Sequence, residues 1–409
     1  MSLTETLGGS ILSEFSSEAE KVMRPTIYLA LTHDWELRGN GSGDIERIQF
    51  TPLRELLGIY HRYGVRSTFQ AELMQQLTFR KFEAQHTELK TLADRWDEHA
   101  REAFRQGHDI QLHIHPQWLG ARYDDGQWRL HGDWSLLNYD PETAYSMLTA
   151  GKEYLEALLR PLDPSYKCLA FRAGALAVAP SPDLLKLLVK LGIVLDVSLA
   201  GGLHLDTRNI QLDYRNCEES FLPFYPRMED ARKVSSKTEE IVCVPINHFY
   251  GSRRQVFRQH LQLVWRKLRR HLFSVSANES DAFVEAYGRL EWAQKNHSST
   301  LVLLYEKGIV PYLRGKYLVS DTARLDYPLL REMLTSIRRR ALTAGRREIP
   351  VVLTNHPKDI KDFASIERFI RDAARSDDIR FITLTELARK LQREEFQVRK
   401  AAAQAGRSG

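Results

Sequence analysis

The sequence predicts an α/β protein built on a distorted (β/α) barrel of seven or eight units, with a mostly helical insertion. Short, almost continuously apolar segments alternate along the chain with amphipathic helical patterns. Strands that are apolar on both faces are typical of a parallel sheet covered by helices. A doubly wound open sheet is the alternative, but no Gly-x-Gly-x-x-Gly follows any predicted strand, which disfavours a dinucleotide site.

The predicted strands are short, and each is followed by a turn or a helical pattern. They are Thr26–Thr32, Ser67–Glu72, Asp109–His115, Cys168–Arg172, Ile193–Ser198, Ile241–Asn247, Ile349–Asn355 and Ile379–Leu384. Pro245 interrupts the sixth of these strands and weakens its assignment.

Helices are predicted between the strands from apolar spacing and from end signals. They lie near 51–63, 85–106, 141–160, 181–191 and 363–375, and a last helix begins at Thr385. In the first, Leu53, Leu56, Leu57 and Tyr60 recur at helical spacing. A proline at the first helical position, Pro141, opens the third.

The chain divides into a barrel and less regular parts. Residues 1–24 are expected to be a flexible lead and 401–409 a flexible tail, with the barrel over 25–400. The insertion covers about 205–345 and contains a candidate strand at 300–305.

Composition excludes several classes of protein. The 409 residues are 43% hydrophobic and 27% charged, with a net charge of +5. These values argue against a disordered or fibrous chain and against a dedicated nucleic-acid binder. Three cysteines without a Cys-x-x-Cys motif do not predict a disulfide framework. No signal peptide or membrane-spanning segment is evident, so a cytoplasmic location is expected.

Polar side chains stand at the carboxyl ends of several predicted strands, where barrel enzymes carry their active sites. Alone, each could be a structural residue, but together they indicate an active site. The segments are Thr32-His-Asp-Trp-Glu36, His113-Ile-His115-Pro116, Phe171-Arg-Ala-Gly174, Asp196, Asn247-His248 and Asn355-His356-Pro357.

The spacing at two strand ends suggests a metal site. Side chains at i and i+2 share a face of a strand, so His113 and His115 point the same way, as do Asp34 and Glu36. Two imidazoles and a carboxylate are a common ligand set for a catalytic divalent metal, and a remaining carboxylate could act as a base. The alternative is a strand edge with histidines that face solvent.

These motifs resemble those of the polysaccharide deacetylases, the NodB-homology fold of the family-4 carbohydrate esterases. Thr32–Glu36 is similar to the family's first motif, with Asp34 at the place of the catalytic base and Glu36 at that of a metal-binding Asp. Gly107–Pro116 is similar to the histidine motif, and Phe171–Gly174 to the arginine motif. Leu353–His356 is similar to the segment with the late histidine.

The resemblance implies a distorted barrel that removes acetyl groups from N-acetylated sugars with a divalent metal, and zinc is expected. It implies Asp34 as base, Arg172 as the residue that orients it, and His356 as general acid. The implied metal ligands are Glu36, His113 and His115. Gln117 stands where the family has its second metal histidine, four residues after the first.

Other residues are candidates for substrate contact, and other functions stay open. Trp35, Trp118 and Tyr123 are candidates for stacking on a sugar, and Asp196 for contact with substrate or with His356. One alternative function is a metal-dependent barrel hydrolase acting on glycosidic or non-peptide C–N bonds. Another is a degenerate barrel that binds glycans without catalysis.

The insertion contains a basic amphipathic segment over 253–272. Between residues 253 and 271 it has no Asp or Glu, and apolar residues recur at helical spacing. The segment either packs its apolar side on the barrel or contacts an anionic membrane at its inner face, near a lipid-linked carbohydrate substrate.

Overall fold

The computed structural model describes residues 24–207, 209–258, 261, 265 and 315–402. The expected lead before residue 24, the tail after residue 402, the candidate strand at 300–305 and most of 253–272 lie outside the described residues.

Sixteen strands lie within the described residues. They are β1 (Thr26–Trp35), β2 (Thr68–Glu72), β3 (Asp109–Ile114), β4 (Arg122–Asp124), β5 (Gln127–Arg129), β6 (Ala170–Ala173), β7 (Leu195–Asp196), β8 (His204–Asp206), β9 (Gln211–Asp213), β10 (Pro226–Arg227), β11 (Asp230–Val234), β12 (Val242–Cys243), β13 (His248–Gly251), β14 (Lys316–Val319), β15 (Glu348–Leu353) and β16 (Ile379–Phe381).

The main helices of the same part of the chain are α1 (Thr51–Tyr63), α2 (Leu73–Phe82), α3 (Thr87–Arg105), α4 (Pro141–Leu159), α5 (Leu184–Lys190), α6 (Tyr327–Thr343), α7 (Phe363–Ala374) and α8 (Leu384–Gln392). Single helical turns include Pro116–Trp118, Gly174–Leu176 and Pro357–Asp359. The predicted start of α4 is confirmed: Pro141 is its first residue, and the Asp140 side chain accepts a hydrogen bond from the Thr143 N–H (2.9 Å).

Eight strands form one parallel sheet in the order β12-β7-β6-β3-β2-β1-β15, and β16 also pairs with β1. β16 lies beside Ile27–Leu29, whereas β2 pairs with the later part of β1, Thr32–Trp35. These two strands therefore follow one another along the same side of β1. The eight strands thus occupy only seven places across the sheet.

The two outer strands of this sheet come together. Ile246, just beyond β12, forms a parallel bridge with Val352 of β15, and the Asn247 N–H donates to the Val352 carbonyl (2.8 Å). This contact makes the sheet a distorted barrel, as predicted, rather than an open doubly wound sheet. The parallel strands then direct their carboxyl ends to one rim.

Apolar side chains form two layers around the sheet. The larger cluster lies between the strands and the helices and includes Leu29, Leu31 and Leu353. The smaller one includes Ala30 and Val352, which alternation places on the opposite, inner face. Asp34 shares the face of Ala30, so the polar residues at the end of β1 continue the inner surface of the barrel toward the rim.

Two regions differ from the sequence-based expectation. Helix α2 was not predicted; it follows β2 directly, and the Glu72 side chain caps it by accepting from the N–H groups of Met74 and Gln75. Much of the described insertion consists of short antiparallel pairs, β8-β9, β10-β11 and β13-β14. Strands of two to five residues are too short to show an alternating pattern.

Candidate metal centre and acid–base residues

Polar side chains from several strands meet at the carboxyl-end rim of the barrel. β1 and the residue after it supply Asp34 and Glu36, and β3 supplies His113 with His115 following it. Arg172 lies on β6, and His356 follows β15. All six were predicted site residues, and the structure brings them together in one group.

Glu36, His113 and His115 form a buried cluster that could hold a metal ion. One ligand atom from each lies within 4.8 Å of the others. Glu36 Oε2 is 2.5 Å from His115 Nε2 and 3.3 Å from His113 Nε2. Two imidazoles and one carboxylate fit a catalytic zinc site, which leaves further positions for water or substrate.

The ring of His113 is oriented as in a metal-binding histidine. Its Nδ1 lies 2.8 Å from the carbonyl oxygen of Arg172, which can only accept a hydrogen bond. Nδ1 therefore carries a proton, which leaves Nε2, on the side of Glu36, as the nitrogen that could bind a metal. Such a bond on the far nitrogen is the usual support of a histidine ligand.

The side chain of Gln117 controls the proton position on His115. As placed, its Nε2 donates to His115 Nδ1 (2.9 Å), while its buried Oε1 has no partner. The same Nε2 also donates to the Gly39 carbonyl oxygen (3.3 Å), so two contacts hold the amide against the imidazole. Gln117 thus stands behind His115, and His115 occupies the ligand position instead.

A lysine that sequence reasoning missed completes the surroundings of Glu36. Lys358 Nζ donates to Glu36 Oε1 (2.6 Å) and to the carbonyl oxygen of Leu37 (3.1 Å). Burial on its own would raise the pKa of Glu36, but the neighbouring His115 imidazole and the Lys358 ammonium hold it well below its usual value. The carboxylate is therefore ionised and available as a ligand.

Asp34 and Arg172 form a buried ion pair beside this cluster. Arg172 Nη1 donates to Asp34, Nη2 donates to Thr32 Oγ1 (2.7 Å), and Nε donates to the Val197 carbonyl (3.1 Å). Burial raises the pKa of Asp34, but the charge of Arg172 outweighs this effect and the pKa is lowered. The guanidinium thus fixes the position of an ionised carboxylate.

His356 faces the same carboxylate from β15. Its Nε2 lies 3.4 Å from Asp34 Oδ2, and its Nδ1 lies 2.8 Å from Asp321 Oδ2. Burial lowers the pKa of His356, but the Asp321 carboxylate more than offsets this, and the pKa is raised above its ordinary value of 6.5. The imidazole is therefore held in the protonated form that a general acid requires.

Asp321 was not predicted, because it lies in the insertion, 35 residues before its partner. The loop after β14 brings it to the rim through a bridge with Thr354, and its neighbour Arg324 contacts it at 3.3 Å. The sequence offered no signal for this placement other than an acidic residue after an apolar strand.

Two aromatic residues proposed for sugar stacking lie in the core instead. Trp35 has no exposed surface and stacks on Trp96, with 4.6 Å between ring centres. Trp118 is 3% exposed and packs edge-on against Phe79. Neither ring offers a face to a sugar, because both belong to the apolar core and pack on other aromatic side chains. Tyr123, on β4, remains partly exposed.

Asp196, another predicted substrate-contact residue, does not contact the polar group at the rim. Its carboxylate accepts from Ser198 Oγ (2.6 Å) and lies 3.6 Å from the Cys243 sulfur, and burial raises its pKa to about 6. Its predicted contact with His356 is made by Asp321 instead. The alternation of β7 explains the difference: Asp196 lies in register with Phe171 and Cys243, which belong to the outer apolar layer.

A further buried carboxyl group, that of Glu72, holds the backbone of His115 in place. At the end of β2, it accepts hydrogen bonds from the backbone N–H of His115 (3.0 Å) and from the first turn of α2. Burial raises its pKa to about 7. Glu72 thereby couples the start of α2 to the position of His115.

Comparisons with known proteins give structural likenesses only. No protein-family model and no curated protein matches the chain. Similar solved structures include a protein assigned as a polysaccharide deacetylase from Mycobacterium smegmatis (17% identity, covering 93% of this chain and 95% of that one, TM-score 0.46). A protein of the same description from Pseudomonas aeruginosa is 13% identical, with 91% and 93% covered and a TM-score of 0.42.

The Puue allantoinase is 10% identical, with 92% of this chain and 94% of that one covered and a TM-score of 0.43. The chain is thus similar in shape to polysaccharide deacetylases and to an allantoinase at low identity. Likenesses of this strength carry no information on reaction or substrate.

Proposed function

We propose that this protein is a metal-dependent hydrolase that removes an acetyl group from an N-acetylated sugar or glycan precursor. The observation that carries the proposal is the placement of three groups at one rim. A Glu–His–His cluster, an arginine-held aspartate and an aspartate-held histidine lie side by side. Together they supply a metal site, a base and an acid.

Glu36, His113 and His115 would hold the metal, for which zinc is our expectation. When bound, a divalent metal polarises a carbonyl group and lowers the pKa of water. The donor set fits this ion, and the Nδ1 bond of His113 to the Arg172 carbonyl prepares one ligand in advance.

Asp34 is the proposed base, which takes a proton from the water molecule that attacks the acyl carbon. Arg172 holds its carboxylate in place and keeps it ionised. His356 is the proposed acid, which donates its Nε2 proton to the leaving amine, while Asp321 binds Nδ1. The distance of 3.4 Å between His356 Nε2 and Asp34 Oδ2 supports the proposal that both groups act on the same bond.

Glycosidic cleavage is a weaker candidate on the same geometry. It needs a carboxylic acid whose pKa is raised, so that it can protonate the leaving oxygen. Both Asp34 and Glu36 instead have lowered pKa values, and each is engaged by a cation. Hydrolysis of another C–N bond, and glycan binding without catalysis, are separated from deacetylation by experiment.

The test combines product analysis with an inactive control. Protein loaded with zinc is incubated with N-acetylated sugars, nucleotide sugars and cyclic amides, and acetate, reducing ends and ring-opened products are measured. We expect acetate release from at least one sugar that Asp34→Asn abolishes. Ring opening or new reducing ends without acetate would replace the proposal by one of the other hydrolase functions, and sugar binding without any product would indicate a glycan-binding barrel.

We also propose that the basic segment over 253–272 contacts an anionic membrane and brings a lipid-linked substrate near the rim. Residues 253–258, 261 and 265 are helical, and Phe257, Leu261 and Trp265 are 53%, 44% and 64% exposed. Their spacing of four residues places these apolar groups on one side of a helix. Among the described residues, no helix is long and apolar enough to cross a bilayer.

A further inference from the structure

Lys358 is the one cation that contacts the predicted metal ligands within the described part of the chain. It lies in the turn Pro357–Asp359, two residues after the proposed acid, and its side chain is 14% exposed. Its ammonium contacts Glu36 Oε1 at 2.6 Å and the Leu37 carbonyl at 3.1 Å. Neither the histidine motif nor the proposed acid–base steps give this lysine a role.

The two oxygens of Glu36 have different partners. Oε2 faces the imidazoles of His113 and His115, whereas Oε1 is bound to Lys358. A carboxylate that bound a metal through both oxygens would have to give up the lysine. The arrangement in the structure therefore favours Oε2 as the single ligand oxygen, because Oε1 is engaged by Lys358.

The charge of Lys358 acts on the metal site in two opposite ways. Without a metal, a buried carboxylate is costly unless a cation compensates it, and the ammonium provides that compensation. With a metal, the same ammonium repels the ion, because cations on the two oxygens of one carboxylate lie only a few ångströms apart. The lysine thus stabilises the metal-free protein and weakens metal binding.

Resting on the metal site of the proposed function, we infer that Lys358 is a positioning residue that restricts Glu36 to one ligand oxygen and lowers the affinity of the site for divalent metal. The site then holds a metal that exchanges readily with the surroundings. This property follows from one residue of the turn after His356 rather than from the ligands themselves.

The experiment measures metal binding by the whole protein, without any substrate. The wild-type protein, Lys358→Met and Lys358→Arg are stripped with a chelator and titrated with zinc in competition with a coloured chelator. Lys361→Met, which removes an exposed lysine three residues away, is the matched control. Cobalt(II) absorption spectra report the coordination number, and thermal melts of the metal-free forms report folding.

We expect Lys358→Met to bind zinc at least about tenfold more tightly than wild type, because removing a like charge at this range is worth an order of magnitude or more. Its cobalt absorption should become weaker, which indicates a higher coordination number, because the second oxygen of Glu36 also binds the metal. Lys358→Arg, which keeps the charge, and Lys361→Met should remain near wild type. The metal-free Lys358→Met should melt earlier but gain more from zinc.

Two results would overturn the inference, and each of them identifies which part fails. If wild type binds zinc and Lys358→Met binds it equally or more weakly, while its melt shows a folded protein, the inference fails and the metal site stands. If neither protein binds zinc or cobalt, the metal site of the proposed function fails together with the inference. Binding by Lys358→Met alone would support the inference in its strongest form.

Discussion

His113 and His115 contact the same oxygen of Glu36, although only one residue separates them in the sequence. Their strand geometry makes this convergence possible, since alternate residues share a face. The shortened spacing relative to the deacetylase motif therefore does not abolish a metal cluster. It moves the second imidazole from position 117 to position 115, and Gln117 becomes the hydrogen-bond partner of that imidazole.

Single substitutions can distinguish the role of the proposed base from that of the proposed metal ligands. Asp34→Asn removes the base but keeps the shape of the side chain, so we expect near-normal zinc content and turnover lowered by roughly 10²–10⁴-fold. His113→Ala and His115→Ala should lose the metal, since each removes one of three protein ligands. Metal analysis of the purified proteins beside acetate-release rates checks both expectations. Loss of zinc in Asp34→Asn would instead make Asp34 a ligand.

Asp321 should set the alkaline limit of activity, because it raises the pKa of the proposed acid. Its carboxylate favours protonated His356, so activity should fall only as the pH rises through that raised pKa. In Asp321→Asn the fall should begin at lower pH, nearer the ordinary value of 6.5. The pH profile of kcat measures this shift. If the loss of activity at alkaline pH occurs at the same pH in Asp321→Asn as in wild type, His356 is not the general acid.

The contact between His356 and Asp321 should also make the stability of the protein depend on pH. A group whose pKa is raised by folding stabilises the protein fully below its unfolded pKa, and this contribution is lost as pH rises through the folded value. The difference in melting temperature between wild type and Asp321→Asn should therefore be present near pH 6 and shrink at alkaline pH. Melts across this range provide the control for the kinetic measurement.

At the residue scale, the sequence predicted the groups on strands better than those on loops. Asp34, Glu36, His113 and Arg172 follow from the strand ends, because alternation fixes the direction of each side chain. Asp321 and Lys358 come from loops whose paths depend on tertiary packing, and no local pattern marks them. Trp35 was misplaced because its neighbours on both sides are site residues, whereas alternation points its own ring into the outer core.

At the scale of the elements, the close approach of β6 to β3 makes a glycine necessary at the rim. A Cβ on Gly174 would lie 2.6 Å from the Ile114 carbonyl and 3.1 Å from the ring of His115. The backbone carbonyl cannot move cheaply, because it belongs to the parallel sheet. The glycine at position 174 thus leaves room for His115, a proposed metal ligand.

Gly174→Ala should lower the free energy of unfolding by about 1–3 kcal/mol, the usual range for overpacking, and should weaken zinc binding by displacing His115. Gly58→Ala is the matched control: it lies in α1, where a Cβ would meet only the end of the Arg62 side chain at 3.7 Å. Alanine is the better helix former, so this control should be neutral or stabilising. Denaturant unfolding and zinc titration compare the two variants, and equal stability would contradict the packing argument.

The prediction of elements succeeded where a segment carried a complete local pattern. The long buried strand β1 and the capped helix α4 have apolar runs or end signals that identify them. Helix α2 was missed because it starts without a turn after β2, with its cap supplied by the last strand residue, Glu72. The hairpins of the insertion, whose strands have two to five residues, carry no such pattern.

For the whole molecule, the order of the strands in the sheet determines which residues meet at the site. In sequence, Asp34 and His356 are more than three hundred residues apart, but Asp34 lies on β1 and His356 follows β15, and β1 pairs with β15 along Thr26–Leu31. This pairing brings the proposed base and acid together. Local patterns predicted the strands, but only their order in the sheet explains this meeting.

The described part of the basic segment is attached to the barrel on one side and exposed on the other. Val256 is buried, and Arg258 pairs with Asp326 at 2.6 Å. Phe257, Leu261 and Trp265 are 53%, 44% and 64% exposed, so each presents apolar surface to solvent. Together with the exposed Arg253 and Arg254, they form a surface with the apolar and basic character that anionic membranes attract.

We expect the protein to co-sediment with phosphatidylserine-containing vesicles but not with pure phosphatidylcholine vesicles, and binding should weaken as salt screens the arginines. The double variant Leu261→Ala/Trp265→Ala should lose binding because it removes the inserted apolar groups, and Arg253→Gln/Arg254→Gln should lose the salt-sensitive part. Leu342→Ala, at a residue of α6 that is 51% exposed, is the control and should bind as wild type does. Equal binding to both kinds of vesicle would show that the arginines are not responsible. Binding that persists in both double variants would show that neither the arginines nor the exposed apolar groups are responsible, and the segment would then have another role.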